Sequence, residues 1–295
     1  MKVILTGASG FLGKHIYNEL MAKYEVLTIS RQDADFKLNL SLDVPQLPTT
    51  ELVVHCAGKA HSIPNTSEEI KAFFDVNLTG TANLLAGLSN NSTLPKAFVF
   101  ISTVAVYGCE SGNMINEDHP LNATDPYGES KIKAERLVQD WCGKNNVICA
   151  ILRLPLLVGE NPPGNLGSMI KGIKNGYYFN IGGGKARKSM VFAKDIAKII
   201  PKVAHQGGVY NFTDGYHPSF SELALVINKT FGKKRNLNMP LWIANAIAKL
   251  GDLLGDKAPL NSKKLKKITT DLTFDDSKAK KELNWNPMPV LSGWK

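Results

Sequence analysis

Through the first half of the chain, short apolar runs alternate with longer stretches whose apolar positions recur every three or four residues. The runs are Val3-Leu5, Val26-Ile29, Leu52-His55, Ala97-Ile101 and Val147-Leu152, with a weaker one at Phe36-Leu40. A run that is apolar at successive positions, instead of at every second one, marks a strand covered on both faces. Helices between such strands make the sheet parallel. The pattern predicts a doubly wound α/β unit, which receives ligands beyond the carboxyl ends of its strands. After about Gly159 the texture changes, with Pro162-Pro163-Gly164 and Gly182-Gly183-Gly184 as punctuation. The stretch Lys188-Ile200 reads as a strand and helix returning to the core. The expected division is residues 1–159 and 187–212 for the doubly wound domain, and 160–186 and 213–295 for a smaller lobe.

Composition adds limits. With 295 residues, 43% of them hydrophobic and 21% charged, the chain can bury a sizeable core without staples. Cys56, Cys109, Cys142 and Cys149 form neither a C-x-x-C pair nor a Cys/His cluster, so a reduced, cytoplasmic setting without structural zinc is expected. Met1-Lys2 runs straight into a short apolar strand and glycine, too brief for a signal peptide or a membrane span. The net charge is +9, but lysines are scattered and thicken only at Lys263, Lys264, Lys266 and Lys267. Without a nucleic-acid motif, that charge reads as a solvated face favouring anionic small molecules, and no nucleic-acid partner is expected.

Directly after the first strand comes Thr6-Gly7-Ala8-Ser9-Gly10-Phe11-Leu12-Gly13, followed by a helical pattern with Leu12, Ile16 and Leu20 on one face. Glycines at 7, 10 and 13 allow a tight turn, close approach of a pyrophosphate, and close packing of helix on strand. The helix amino terminus then offers free N–H groups to phosphates. The spacing G-x-x-G-x-x-G between strand and helix points to a dinucleotide. The second strand ends Ile29-Ser30-Arg31-Gln32, with no acid before Asp33. Arg31 at that place either pairs with the 2′-phosphate of NADP or is an exposed loop arginine. On this ground NADP(H) is favoured over NAD(H).

In Asp125-Pro126-Tyr127-Gly128-Glu129-Ser130-Lys131, Asp125 is placed to cap a helix whose first residue is Pro126. Tyr127 and Lys131, four apart, share a helix face. An ammonium beside a phenol favours the phenolate and suits the tyrosine to proton transfer. Upstream, Phe98-Ile101 runs into Ser102-Thr103, which places hydroxyls at a strand's carboxyl end. Thr103 precedes Tyr127 by the interval of a Ser/Thr-Tyr-Lys triad.

These pieces together resemble an extended short-chain dehydrogenase of the NAD-dependent epimerase/dehydratase family, over nearly the whole chain. Besides TGASGFLG, the matching segments are VVHCAG at 53–58, VNLTGTANLL at 76–85, FISTVAVYG at 100–108, DPYGESK at 125–131, ILRLPLLVG at 151–159, ARKSMVFAKDIAKII at 186–200 and VYNFTDG at 209–215. The resemblance implies a Rossmann domain with a smaller C-terminal substrate-binding lobe. It makes Thr103 the catalytic hydroxyl, with Ser102 the fallback, Tyr127 the proton donor or acceptor, and Lys131 its partner, which also holds the nicotinamide ribose. It implies cofactor contacts at Gly7, Ser9, Gly10, Phe11, Leu12, Gly13, Ala57 and Pro155. Asn77 matches a family asparagine near the active site, or is a capping or turn residue. Lys59 and His61 are cofactor-side or substrate-side contacts, or plain surface loop. Asn165 and Arg187 fall where similar enzymes grip a sugar-nucleotide diphosphate, although Arg187 also suits a surface ion pair. Two departures weaken the finer cofactor contacts: Val158 replaces a usual tyrosine, and Asn39 stands where an aspartate often touches the adenine.

The segments HCAGKAH, WIANAIAKLGDLLG and TDLTFDDSKAKKELNWNP are most similar to bacterial reductases of UDP-4-keto-6-deoxy-N-acetylhexosamines, which serve surface polysaccharide synthesis. A UDP-hexose 4-epimerase with retained NAD is the alternative. A dehydratase is disfavoured by Val104, where related dehydratases carry an acidic pair. A non-catalytic NAD(P)-binding regulator is disfavoured because Tyr127 and Lys131 are both kept. A homodimer is expected by analogy. Finally, Leu241-Gly255 predicts an amphipathic helix with Ile243, Ile247, Leu250 and Leu254 on one stripe and Asn245, Lys249 and Asp252 elsewhere. That stripe packs within the lobe, or touches a membrane surface or membrane-bound glycosyltransferase.

Overall fold

A computed structural model describes residues 1–60, 62, 64–233, 237–255 and 258–294. The chain starts with β1 (Lys2–Thr6), turns into α1 (Phe11–Met21), and continues through β2 (Glu25–Ser30), β3 (Phe36–Lys37) and β4 (Leu52–His55). Helices α2 (Ser67–Phe74) and α3 (Gly80–Ser89), joined by a π-helical turn at Asp75–Thr79, lead to β5 (Ala97–Thr103). Next come β6 (Gly112–Ile115), the long α4 (Pro126–Asn145), β7 (Ile148–Leu154) and β8 (Leu156–Val158). After α5 (Gly164–Asn175), β9 (Phe179–Ile181) and β10 (Met190–Phe192), α6 (Ala193–Gln206) returns the chain to β11 (Gly208–Asn211).

Among the described residues, seven strands form a parallel sheet in the order β11-β7-β5-β4-β1-β2-β3. The chain thus builds outward from β1 to one edge, then reverses to build the other from β4. The reversal leaves a crevice at the carboxyl ends of β1 and β4, where a doubly wound sheet takes its ligand.

Side chains alternate across the sheet, so neighbouring residues of β1 enter different cores. Val3 and Leu5 pack with Leu12, Ile16 and Leu20 of α1 and with Ile196, Ile200 and Val203 of α6. Ile4 joins Leu84, Leu85 and Leu88 of α3 and Ala134 and Val138 of α4. Each such aliphatic side chain, fully buried, contributes about 1.5–3 kcal/mol.

Two expectations need correction. The run at Phe36-Leu40 yields only two residues of strand, because Asn39 Oδ1 accepts from Ser41 N at 3.2 Å and closes a turn. The strand and helix foreseen within Lys188-Ile200 do return to the core, through Val191 of β10 and Ile196 and Ile200 of α6, with β10 paired to β8 outside the main sheet. The other correction concerns the tail, which runs through α7 (Phe220–Thr230), β12 (Leu237–Met239), α8 (Leu241–Asp252), α9 (Ser262–Thr269), β13 (Leu272–Phe274) and α10 (Ser277–Leu283). Helix α8 buries Ala244, Ala248 and Gly251, not the large residues of the predicted stripe. Small residues win that face because α8 lies very close to the chain beyond it: a Cβ at Gly251 would stand 1.9 Å from Leu260 O. Ile247, Leu250 and Leu254 are exposed and Ile243 half-buried.

A separate core gathers Leu166, Met169, Ile173, Leu223 and Ile227 with Met190 and Phe192. Ala279, Leu283 and Trp285, from the part of the tail expected in a smaller lobe, pack into the core of the large sheet. Strand β13 pairs with β6 and ties the tail to the segment before α4.

Candidate active site

The crevice is built around glycine. Gly7 has φ +71°, and a Cβ there would lie 2.6 Å from Ala57 N at the end of β4. A Cβ at Gly13 would lie 2.0 Å from Gly7 O. Turn, helix and neighbouring strand therefore interlock only without side chains at these positions. Gly10 caps α1 in extended conformation without a side-chain hydrogen bond, and the first turn holds no acid. The amino-terminal N–H groups of α1 face an anion's place with nothing negative beside them, which fits the diphosphate of a dinucleotide. Ser9 is exposed at the turn, Leu12 is buried in the core, and Phe11 packs edge-on to His15 beneath Gly159.

A hydrogen-bonded relay supports this cradle from below. Thr81 Oγ1 donates to Asn77 O at 2.6 Å, so it accepts from His55 Nε2 at 3.0 Å. His55 Nδ1 then accepts from Thr6 Oγ1 at 2.6 Å, and Thr6 Oγ1 accepts from Ala57 N at 3.0 Å. Burial, helped by the charge of Lys131, lowers the His55 pKa to about 3, so the ring stays neutral and keeps this single tautomer.

At the end of β2, Arg31 is exposed. The nearby acid Asp35 is turned back, its Oδ2 accepting from Thr28 N and Thr28 Oγ1, both at 2.8 Å. Those bonds lower its pKa, the backbone one most. Asn39 is held in its own turn, its N–H donating to Asp43 at 3.2 Å.

Across the crevice, Asp125 Oδ1 accepts from Gly128 N at 3.0 Å and caps α4, with Pro126 in the first turn as the spacing predicts. Thr103 ends β5, its Oγ1 accepting from Ala105 N at 3.1 Å, and its side chain faces the Tyr127 phenol. Burial raises the Tyr127 pKa, and the nearby Thr103 hydroxyl only partly offsets it. Lys131 follows one turn later, its Nζ donating to Ile101 O at 2.7 Å and lying 3.8 Å from the centre of the Phe100 ring. Burial brings Lys131 down to about 8 against the opposing pull of Glu135. The expectation that Lys131 would draw the phenol towards ionisation is therefore corrected: its ammonium is spent on a carbonyl and a ring face, and burial governs Tyr127.

The two adjacent hydroxyls of β5 diverge. Ser102 donates to buried Glu135 and is committed away from Tyr127, which leaves Thr103 as the hydroxyl at the site. Glu135 meets Arg153 of β7 at 2.8 Å, and Arg153 Nη1 donates to Tyr107 OH at 3.2 Å. Tyr107 OH in turn donates to Asn211 Oδ1 of β11 at 2.8 Å. This buried chain ties α4 to three strands. Motif spacing missed it, although an arginine in an otherwise apolar strand was the available signal.

Asn77 sits fully buried in the π-helical turn between α2 and α3. Its Oδ1 accepts from Lys59 N at 2.7 Å, and its Nδ2 donates to Lys59 O at 3.1 Å and Ser130 Oγ at 2.9 Å. It works as a strut that fixes the loop after β4 against α4. Lys59 extends its ammonium over Phe73, 5.4 Å from the ring centre. His61 lies outside the described residues. Pro155 is half-buried between β7 and β8, and Asn165 is exposed in the first turn of α5. Arg187 Nη1 donates to His217 O at 3.0 Å and lies 3.6 Å from Glu222, with Tyr216 beside its guanidinium.

Comparison with known proteins adds independent findings. The family model described as the NAD dependent epimerase/dehydratase family matches residues 3–212. The N-acetyl-alpha-D-glucosaminyl-diphospho-ditrans,octacis-undecaprenol 4-epimerase of Escherichia coli O157:H7 is 28% identical over 94% of this chain and 88% of its own length. The UDP-glucose 4-epimerase of Vibrio cholerae is 26% identical over 98% of this chain and 92% of its own. Among solved structures, a UDP-N-acetylglucosamine 4-epimerase from Bacillus cereus superposes with a TM-score of 0.76, covering 100% of this chain and 96% of that one at 22% identity. RMD from Pseudomonas aeruginosa, complexed with NADPH, gives 0.72 at 21% identity, covering 99% of this chain and 98% of that one.

Proposed function

Because this chain belongs to the NAD-dependent epimerase/dehydratase family, we propose that it carries out redox chemistry at C4 of a hexose held on a nucleoside diphosphate. Its working direction, on this reading, is reduction of the 4-ketone of a UDP-4-keto-6-deoxy-N-acetylhexosamine. The observation that carries the chemistry is the meeting of Thr103 and Tyr127 beside Lys131 at the end of β5. A nicotinamide cofactor, when bound, supplies the hydride. Tyr127, its pKa raised by burial, holds its proton at neutral pH and gives it to the oxygen on which negative charge develops. The Thr103 hydroxyl donates to the same oxygen. Lys131, its ammonium held on Ile101 O, orients the ribose. The Gly7-Gly13 turn and the start of α1 hold the diphosphate of the cofactor. Asn165, in the smaller lobe of residues 160–186 and 213–295, and Arg187, where the chain leaves that lobe, are assigned to the diphosphate of the sugar.

The direction rests on the cofactor. Arg31 is exposed at the end of β2 and Asp35 is tied to Thr28, an arrangement that favours a 2′-phosphate over a free 2′-hydroxyl. An exchangeable NADP(H) suits a reductase, which must renew its cofactor at every turnover. The substrate class follows the named relatives, whose sugars are also joined to a diphosphate. Those relatives favour a second reading, a 4-epimerase that retains NAD. Incubation with a UDP-4-keto-6-deoxy-N-acetylhexosamine and NADPH separates the two: the reductase consumes one NADPH for each ketone. NAD that survives gel filtration, with interconversion of UDP-N-acetylhexosamine epimers and no net cofactor use, would overturn the reductase and establish the epimerase.

A further inference from the structure

One group of the large apolar side chains that the fold leaves outside is gathered on a single ridge. Among the described residues, seven of the twenty exposed large apolar side chains lie between Leu237 and Leu254. The geometry of α8 explains this. Its buried arc is Ala244, Ala248 and Gly251, and the opposite arc, by helical spacing, carries Trp242, Ile247 and Leu250, with Leu253 and Leu254 in the turn that follows. Exposure reaches 73% at Trp242, 70% at Leu250 and 85% at Leu253. Phe179 and Leu237, partners across the β9–β12 pair, are exposed as well. They share strand faces with Ile181 and Met239, which pack under α8, so they lie alongside that helix. A concentration of exposed apolar side chains of this kind marks a place of contact.

Charge indicates which contact. Residues 229–270 hold ten Lys or Arg and two Asp, a net +8 out of the +9 of the whole chain. One of the two acids, Asp252, is occupied by Ser262, accepting from its N at 2.8 Å and its Oγ at 2.6 Å. Lys249 lies two turns from Trp242 on the border of the apolar arc. An outward apolar ridge with a tryptophan at its edge, set in a strongly basic segment, is the chemistry of a helix lying in the interface of an anionic bilayer. Among the described residues no helix is long and apolar enough to cross a membrane, so the contact is peripheral.

We propose that the α8 ridge docks on an anionic phospholipid surface and holds the small lobe against it. Flotation of the full chain with vesicles rich in phosphatidylglycerol, against vesicles of phosphatidylcholine alone, tests this at low and high salt. The wild type is expected to float with the anionic vesicles, less so at high salt, with a blue shift of tryptophan emission that Trp242→Phe removes. Leu253→Asp should cut partitioning by roughly 10- to 100-fold and Lys249→Glu by about fivefold or more, both with unchanged circular dichroism and cofactor binding. A wild type that stays in the dense fraction with anionic vesicles at low salt overturns the proposal. So does partitioning untouched by Leu253→Asp. A Trp242 shift that follows protein concentration without vesicles, together with a dimer that Leu253→Asp disperses, would instead make the ridge an interface between two copies and also overturn it.

Discussion

Burial brings the titration of Lys131 within reach of working conditions. Its pKa is lowered to about 8, so it keeps its charge below that pH and loses it above. For ketone reduction, kcat/KM should therefore decline as pH rises through about 8. The Lys131→Arg variant, charged throughout, should not show that limb, and a profile flat to pH 10 in the wild type would remove Lys131 from this role. Tyr127 titrates higher and contributes differently: Tyr127→Phe should lower kcat by roughly 10²- to 10⁴-fold with cofactor affinity kept, as measured by single-turnover and cofactor titration. The triad itself was legible in the sequence, because four-residue spacing on a helix and a hydroxyl at a strand end are local facts. What local spacing could not give was the direction of the Lys131 ammonium, or the choice between Ser102 and Thr103. Both depend on Glu135 and Ile101, which the fold alone brings near.

At the scale of elements, α4 is held by more than its cap. Glu135, one turn beyond Lys131, meets Arg153 at 2.8 Å and accepts from Ser102, with both ionised side chains buried. Removing one charge of such a pair leaves the other without compensation, a loss of about 3–5 kcal/mol. Glu135→Gln should lower the chemical denaturation midpoint accordingly. Because Glu135 also opposes the fall of the Lys131 pKa, the same variant should move the alkaline limb of kcat/KM to lower pH. A lowered midpoint with an unmoved limb would show that Glu135 only braces the helix. The strands were largely legible as continuous apolar runs. Helix α8 was legible as a helix but not in its orientation, because a stripe of large residues normally turns inward. Here Gly251 and two alanines allow a close approach that larger residues cannot make.

At the scale of the molecule, His55 links acidity to stability. Its pKa is about 3 in the folded chain, against an ordinary 6.5, so the unfolded chain takes up a proton over that interval while the folded chain does not. Stability is full above 6.5 and declines as pH falls towards 3. Urea midpoints at about pH 7 and about pH 4.5 should differ, and His55→Gln should narrow the difference; equal sensitivity in both proteins would assign the acid loss to other groups. The doubly wound plan was readable from the order of runs, but the course of the tail was not, because no periodicity announces a return. Trp285 stacks edge-on against Phe212 with ring centres 4.9 Å apart and donates to Thr213 O at 2.9 Å, beside Ala279 and Leu283.

That placement bears on how the chain is made. A ribosome delivers β1 well before Trp285, so the flank of the nascent sheet beside β11 stays uncovered until Ala279, Leu283 and Trp285 have followed. Parallel strands already fold slowly, since their contacts are distant in sequence. This one must also wait for side chains supplied from beyond β13. A stop codon at position 276 should thus give a nucleotide-binding domain that emerges intact in sequence yet depends on chaperones and precipitates, and a separate peptide covering residues 276–295 should restore it in trans.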